Sequence, residues 1–188
     1  FACGTGRILK INENIYPNST WVDVSETMLQ HAKKDCLKSR IYLRDITRDN
    51  FNEKFDVITA FRFFMNAEEK LRFEVLSSFD KILKKEGYLV VNCHQNSFSF
   101  LGLAYRFMNL FRSNKYNTMS CREFSSLLRK FNYSIEKVIW YSYLPRTGWR
   151  LNFLSRYFLL PIEKLWRTTP FLPNSFSQSF MIVAKKLK

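Results

Sequence analysis

Short apolar runs alternate with amphipathic stretches through the first half of the chain. Four runs rich in β-branched and aromatic residues are typical of strands: TWVDV, RIYLRDI, FDVITAF and YLVVNCH. Three other stretches place apolar residues at helical spacing: RILKI, SETMLQHAKKD and AEEKLRFEVLSSFDKILKKEG. This order predicts a parallel, doubly wound α/β sheet, whose ligands bind at the carboxyl ends of the strands.

Several details of these elements follow from their residue types. Ser25 is expected to cap its helix, with an inward stripe of Met28, Leu29 and Ala32. FDVITAF is nearly continuous in apolar residues, so we expect a strand buried on both faces. Gly87 is expected just after the end of the long helix, at its C′ position.

The second half has a different pattern. SFSFLGLAYRFMNLF is predicted to be helical, and Ser120 with Glu123 forms a capping box for the next helix. YSIEKVIWYSYL and SFMIVAKK are predicted to be strands that pair antiparallel at the edge of the sheet.

Composition and charge narrow the class of protein. With 188 residues, of which 46% are hydrophobic, the chain is expected to fold as one domain. The net charge of +14 divides into +3 over residues 1–111 and +11 over residues 112–188. The second part therefore faces an anionic partner or forms a solvated basic surface. The four cysteines are scattered and lack the spacing of metal ligands, which predicts reduced thiols, no metal site and a cytoplasmic location. No apolar run approaches the length needed to span a membrane.

The opening stretch FACGTGR holds two of the five glycines, Gly4 and Gly6, and is a candidate ligand loop. A phosphate-binding P-loop needs Lys and Ser or Thr after its last glycine, and Arg7 and Ile8 stand there instead. A dinucleotide loop places Gly or Ala three residues after the second glycine, and Leu9 occupies that position. Both alternatives are therefore disfavoured.

The sequence ACGTG, an acidic strand end at Asp23, and VSETML directly after it resemble the class I S-adenosylmethionine-dependent methyltransferases. The resemblance continues through Asp45, FDVITAF and KILKKEGYLVVN, and covers residues 1–96 closely. It implies a Rossmann-like sheet with S-adenosyl-L-methionine as the cofactor. It also implies a first strand with an acidic residue at its end, ahead of Phe1, so we expect that strand to be missing from the sheet.

The resemblance assigns roles around the cofactor. Gly4 and Gly6 let the backbone approach its amino acid part, and Asp23 accepts hydrogen bonds from both ribose hydroxyls. Asp45 accepts from the adenine amine, beside an apolar wall and a backbone N–H from Ile46. The complete predicted cofactor set is Ala2, Gly4, Gly6, Asp23, Val24, Met28, Asp45, Ile46 and Phe61. Ala2 stands where many relatives have Gly, Met28 packs on the adenosine, and the Phe61 carbonyl region receives the ammonium group.

The acceptor side is expected at the end of YLVVNCH. His94 is the candidate general base, and Arg62, which follows FDVITAF, is a candidate pocket charge. His94 could equally be a hydrogen-bonded loop residue, because methyl transfer often needs little beyond alignment of the reacting atoms and exclusion of water. His31 is expected to be structural.

The basic, aromatic segment 145–175 leaves three alternatives open. Placed on a helix, its residues 151–167 form an apolar face opposite charged residues, with Pro161 kinking or restarting the helix. It could be a lid over the site, a surface for an anionic membrane, or a plain packing helix. Nucleic acid is a less favoured partner. The Asn-Pro-Pro-Tyr type element and the Pro-Cys nucleophile of base methyltransferases are both absent, and FRFFMN stands where the first would be expected.

The sequence thus predicts a single domain, with a cofactor-binding half at 1–96 and a substrate-side half at 97–188. Its predicted activity is methyl transfer from S-adenosylmethionine to an oxygen or nitrogen of a small or lipid-linked acceptor. The alternatives are an RNA methyltransferase that uses the basic second half and a cofactor-binding module without catalysis.

Overall fold

A computed structural model describes residues 1–36, 38–113, 115–144, 157–158, 160–168 and 173–187. Its first half contains α1 (Leu9–Asn12), β1 (Thr20–Asp23), α2 (Glu26–Asp35), β2 (Arg40–Leu43), β3 (Phe55–Ala60), α3 (Glu69–Ile82) and β4 (Leu83–Cys93). Its second half contains α4 (Phe100–Met108), α5 (Cys121–Lys130), β5 (Tyr133–Tyr141), α6 (Leu160–Thr168), a 3-10 turn (Asn174–Phe176) and β6 (Ser179–Lys186).

The strands form two hydrogen-bonded groups. β1 and β2 pair in parallel, and the second group has the order β3-β4-β6-β5. β3 and β4 are parallel, whereas β6 runs antiparallel to both β4 and β5. The mixed α/β sheet and its antiparallel pairing near the edge are therefore confirmed, with β5 outermost and β6 inserted beside β4.

The opening residues lie between the two groups of strands. The Phe1 nitrogen donates to the Thr59 carbonyl of β3 at 2.8 Å, and the Cys3 N–H donates to the Val22 carbonyl of β1 at 3.3 Å. Toward the amino-terminal halves of β1 and β3 the gap widens into a cleft of about 710 Å³, with Trp21 and Val57 among its walls.

The main core fills the space between the four-stranded group and helices α3 and α5. It includes large side chains with almost no solvent exposure: Phe64, Leu76, Phe79, Leu89, Phe124, Leu128, Phe180 and Ile182. A separate small cluster joins Leu9 of α1, Trp21 of β1 and Cys36 after α2. The smaller cluster packs the opening loop and its helix against β1.

Two details of the predicted elements are wrong. α3 ends at Ile82 and β4 starts at Leu83, so Gly87 lies inside a strand rather than after the helix. A Cβ at Gly87 would lie 2.9 Å from the Lys84 carbonyl oxygen and 3.0 Å from that of Asp56, so close strand packing explains the glycine. β3 is not buried on both faces along its whole length, because Val57 is 51% exposed toward the cleft.

The predicted capping box is confirmed at the start of α5. The Glu123 N–H donates to the Ser120 hydroxyl at 3.1 Å, and the Ser120 N–H donates to the Glu123 carboxylate at 2.7 Å.

We expect Ser120→Ala to lower the free energy of unfolding by about 1 kcal/mol and the melting temperature by about 3 °C, because loss of the hydroxyl leaves the Glu123 N–H without its capping partner. Thermal unfolding measures this, with Ser126→Ala on the exposed face of α5 as the matched control. Equal melting temperatures for the two variants would contradict the capping role.

Candidate functional site

Asp23 joins the end of β1 to the opening loop. One carboxylate oxygen accepts from the Gly4 N–H at 2.8 Å, and the other accepts from the Ser25 N–H at 2.9 Å. A carboxylate has about four acceptor positions, so each oxygen keeps capacity for one more donor. The two amides therefore fix the orientation of Asp23 without using up its ability to bind hydroxyl groups.

The two loop glycines occupy positions that favour glycine for different structural reasons. Both adopt left-handed backbone, with φ of +54° at Gly4 and +78° at Gly6. A Cβ at Gly6 would lie 3.0 Å from the Ala32 Cβ, so Gly6 is required for the loop to pack on α2. A Cβ at Gly4 would meet no atom of the described chain within 4 Å, so the loop faces open space there. Ala2 also has positive φ, of 51°, a conformation that costs a residue with a Cβ about 1 kcal/mol or more.

The start of α2 exposes apolar side chains beside Asp23. Ser25 caps this helix as predicted, accepting from the Met28 N–H at 3.4 Å. Leu29 and Ala32 are buried, but Met28 is 44% exposed, so its predicted place in the inward stripe is wrong. Val24 is 64% exposed. Their contact with an adenosine stays a prediction, and their exposure leaves them accessible for it.

The hydrogen bonds of Asp45 run within its own turn. One oxygen accepts from the Thr47 N–H at 2.9 Å and from the Thr47 hydroxyl at 2.7 Å, and the other lies 3.4 Å from the Arg48 guanidinium. The Thr47 bonds are the main cause of a lowered pKa, so the Asp45 carboxyl stays ionised. Ile46 buries its side chain in the main core, which leaves its backbone as the part that can reach a ligand. The adenine roles of both residues stay predictions.

A second set of polar groups lies at the carboxyl ends of β3 and β4. Arg62 follows Phe61 with a positive φ of 59°, and its N–H donates to the Asn92 side-chain oxygen at 2.7 Å. The Asn92 amide donates to the Tyr141 hydroxyl at 2.8 Å. Three strand ends are thus connected through side chains, at the edge where the sequence predicted the acceptor.

His94 lies beside this network. Its Nδ1 atom is buried without a hydrogen-bond partner among the residues that the structure describes. Burial, followed by the positive charge of Arg62, lowers the pKa of the imidazole below its ordinary value of 6.5. The Gln178 amide donates to the His94 carbonyl at 3.2 Å, which holds the backbone in place. A neutral imidazole can act as a base toward a group that reaches its ring.

Tyr141 and Gln178 contribute to this edge and were missed by the sequence predictions. Tyr141 ends β5, and Gln178 immediately precedes β6. Because β6 is antiparallel to β4, its beginning lies at the carboxyl end of β4. The predicted antiparallel pairing was therefore the available signal for Gln178. Asn96, a polar neighbour of His94, is instead structural, because its amide donates to the carbonyls of Ser175 and Ser177.

The lowered pKa of His94 predicts a pH dependence of stability. The unfolded chain binds a proton near the ordinary pKa of about 6.5, whereas folded His94 binds it only at lower pH, so stability falls as the pH falls below that value. We expect the melting temperature to drop more between about pH 7 and pH 5 in the parent than in His94→Gln. Thermal unfolding across this range measures the difference. His31→Gln, at an exposed position of α2, should follow the parent, and identical profiles for both variants would contradict the burial of His94.

The family model described as "Methyltransferase domain" matches residues 1–91. This part, just under half of the chain, is similar to that family. The match begins at the opening loop and includes Asp23, Asp45 and β3, so it covers the residues on which the sequence resemblance was based. The predicted enzyme class, an S-adenosylmethionine-dependent methyltransferase, and its cofactor are confirmed at this level.

Similar solved structures cover nearly the whole chain. An S-adenosylmethionine-dependent methyltransferase from Thermotoga maritima has 20% identity and a TM-score of 0.68, over 99% of this chain and 79% of that one. One from Methanosarcina mazei has 16% identity and a TM-score of 0.69, over 99% and 90%. Magnesium protoporphyrin IX methyltransferase from Synechocystis, with bound S-adenosylhomocysteine, has 11% identity and a TM-score of 0.63, over 98% and 71%. These likenesses confirm the Rossmann-like methyltransferase fold.

A sequence search of curated proteins found no significant match. In the described residues, no helix has the length and apolar character needed to cross a bilayer.

Proposed function

We propose that this chain transfers the methyl group of S-adenosylmethionine to an oxygen or nitrogen of a small or lipid-linked acceptor. The observation that carries the proposal is the Asp23 carboxylate, which the Gly4 and Ser25 amides hold beside a loop that faces open space. The cofactor supplies an electrophilic methyl group on a sulfonium centre. Hydroxyl donors of a ribose suit the remaining acceptor capacity of Asp23, and open space at Gly4 suits close approach of a ligand to the backbone.

In this proposal the predicted cofactor residues divide by position. Ala2, Gly4 and Gly6 shape the loop, and Asp23 binds the ribose. Val24 and Met28 offer exposed apolar surface to the adenosine. Asp45, the Ile46 backbone and Phe61 take the adenine and the ammonium group, in the roles that the family resemblance implies.

The acceptor binds, in this proposal, at the edge formed by Arg62, Asn92 and His94. His94 takes a proton from the acceptor hydroxyl or amine on its imidazole ring, whose lowered pKa keeps the ring neutral near pH 7. Arg62 adds a positive charge that disfavours a second proton on the ring. With the cofactor bound, its methyl group would be transferred to this oxygen or nitrogen, and the proton would stay on His94 until it is released to water.

The division into a cofactor half at 1–96 and a substrate half at 97–188 is part of this proposal, as are a cytoplasmic location and peripheral membrane contact.

Most of the predicted lid or membrane segment at 145–175 lies outside the described residues. Of the part that is described, α6 begins at Leu160 with Pro161 in its first turn, and Ile162 and Leu165 are exposed.

Incubation of the full chain with methyl-labelled S-adenosylmethionine and three acceptor pools tests the proposal. The pools are a small-molecule fraction, a lipid extract and total RNA, and we expect label in one of the first two. His94→Gln should lower the transfer rate by about 100-fold or more and leave the affinity for S-adenosylhomocysteine unchanged. His31→Gln is the control. Label in RNA alone would overturn the acceptor class, and an unchanged rate for His94→Gln would remove the general base.

A further inference from the structure

Helix α4 exposes several of its apolar side chains to solvent, although the Phe100 ring is partly covered by Phe176, with ring centroids 6.1 Å apart. Phe100, Leu103 and Phe107 are 48%, 43% and 65% exposed, and they follow one another at helical spacing along one face. The turn after the helix adds Leu110 and Phe111, at 75% and 77%. A surface helix ordinarily turns such residues toward the core. We call these five residues the α4 stripe.

The opposite face of α4 is fastened to the protein. A Cβ at Gly102 would clash with the Asn96 carbonyl oxygen, so this face lies directly on the preceding loop. The Tyr105 ring stacks on Tyr116 with centroids 4.4 Å apart. Asn109 donates to the Tyr116 carbonyl at 2.9 Å and accepts from its N–H at 2.8 Å. These contacts fix the orientation that leaves the α4 stripe outward.

The charge around the stripe has one sign. Residues 87–122 contain no Asp or Glu, but they contain Arg106, Arg112, Lys115 and Arg122. Arg106 is exposed on α4 itself, and Arg112 directly follows the stripe. A second copy of this chain, with a net charge of +14, would bring the same basic groups against each other. The combination of apolar and basic groups instead matches an anionic lipid surface, where rings enter the interface and cations meet the headgroups.

We propose that the α4 stripe docks the protein on an anionic lipid bilayer, with α4 lying in the plane of the interface. The beginning of α4 lies close to the acceptor edge. The Ser99 hydroxyl, which caps α4, lies 3.0 Å from the Gln178 side chain, whose amide in turn donates to the His94 carbonyl. The docked face therefore adjoins the edge at which a lipid-linked acceptor would be methylated. Only this last consequence rests on the proposed function.

Vesicle co-sedimentation of the full chain tests the docking. We expect binding to phosphatidylcholine vesicles that contain about one-third phosphatidylglycerol, and at least about tenfold weaker binding to pure phosphatidylcholine or at about 0.5 M salt. The double variant Phe107→Glu with Leu110→Glu should lose at least about tenfold in affinity for anionic vesicles. Ile11→Glu with Ile15→Glu, at positions 69% and 63% exposed elsewhere on the protein, is the matched control and should bind as the parent does.

Three results would overturn the proposal. One is failure of the parent to bind anionic vesicles. Another is an equal loss in the α4 double variant and the control, which would indicate a charge effect without a specific surface. The third is a concentration-dependent dimer in sedimentation velocity that Phe107→Glu abolishes, which would assign the stripe to a second copy. The melting temperature of Phe107→Ser shows whether removing this ring unfolds the protein, and so whether a loss of vesicle binding could come from unfolding. Calorimetry with S-adenosylhomocysteine on the same samples reports separately on the proposed function.

Discussion

Asp23→Ala is expected to weaken binding of S-adenosylhomocysteine by about 30-fold or more, equivalent to about 2 kcal/mol. The substitution removes the acceptor proposed for the ribose hydroxyls, and bonds from a hydroxyl to a charged group are among the stronger ones in proteins. It also releases the Gly4 and Ser25 amides, which the carboxylate now holds at 2.8 and 2.9 Å. Isothermal titration calorimetry of the full chain measures the affinity.

Two variants control this measurement. Asp23→Asn keeps the shape and one good acceptor oxygen, so its affinity should lie between those of the parent and the alanine variant. Asp35→Ala removes an exposed carboxylate at the end of α2 that pairs with Lys10 at 3.5 Å, and it should bind as the parent does. Equal affinities for the parent and a folded Asp23→Ala would remove Asp23 from the site.

Substitutions of the two loop glycines are expected to separate folding from ligand binding. Gly6→Ala places a methyl group 3.0 Å from the Ala32 Cβ in a backbone with φ of +78°. We expect it to cost about 2 to 3 kcal/mol of stability and to lower the melting temperature by about 6 °C or more. Gly4→Ala meets no protein atom within 4 Å, so only its backbone conformation is penalised, at about 1 kcal/mol.

For ligand binding we expect the opposite order, with Gly4→Ala more damaging than Gly6→Ala. The added methyl group of Gly4→Ala projects into the open space beside Asp23, so we expect the affinity for S-adenosylhomocysteine to fall at least about tenfold. Calorimetry below the melting temperature of each variant, together with thermal unfolding, measures both effects. If Gly4→Ala bound as tightly as the parent, the space above the loop would not be part of the ligand site.

The features predicted correctly from sequence depend on neighbours along the chain. The Ser25 cap, the capping box at Ser120 and the strand end at Asp23 are set by residues within three or four positions, so their pattern is readable without the fold. The Gly4 loop and Asp23 are 19 residues apart, and the family resemblance supplied the link that the 2.8 Å hydrogen bond now makes explicit.

The features that were missed depend on distant parts of the chain. Gly87 resembles a helix terminator, yet its environment is set by Asp56 on a neighbouring strand. Tyr141 reaches Asn92 across 49 residues, and Gln178 reaches His94 across 84. The outward orientation of α4 could not be read from periodicity, because an apolar stripe has the same spacing whether it faces the core or the solvent.

Hydrogen exchange of the full chain, with and without S-adenosylhomocysteine, tests the central claim most directly. The claim is that the ligand binds at the carboxyl edge between the opening loop and Asp23, and not in the cleft of about 710 Å³ beside the amino-terminal halves of β1 and β3. We expect added protection of the amides of residues 3–6 and 23–28. Protection confined to residues 12–19 and 53–57, which contribute to that cleft, would contradict the account.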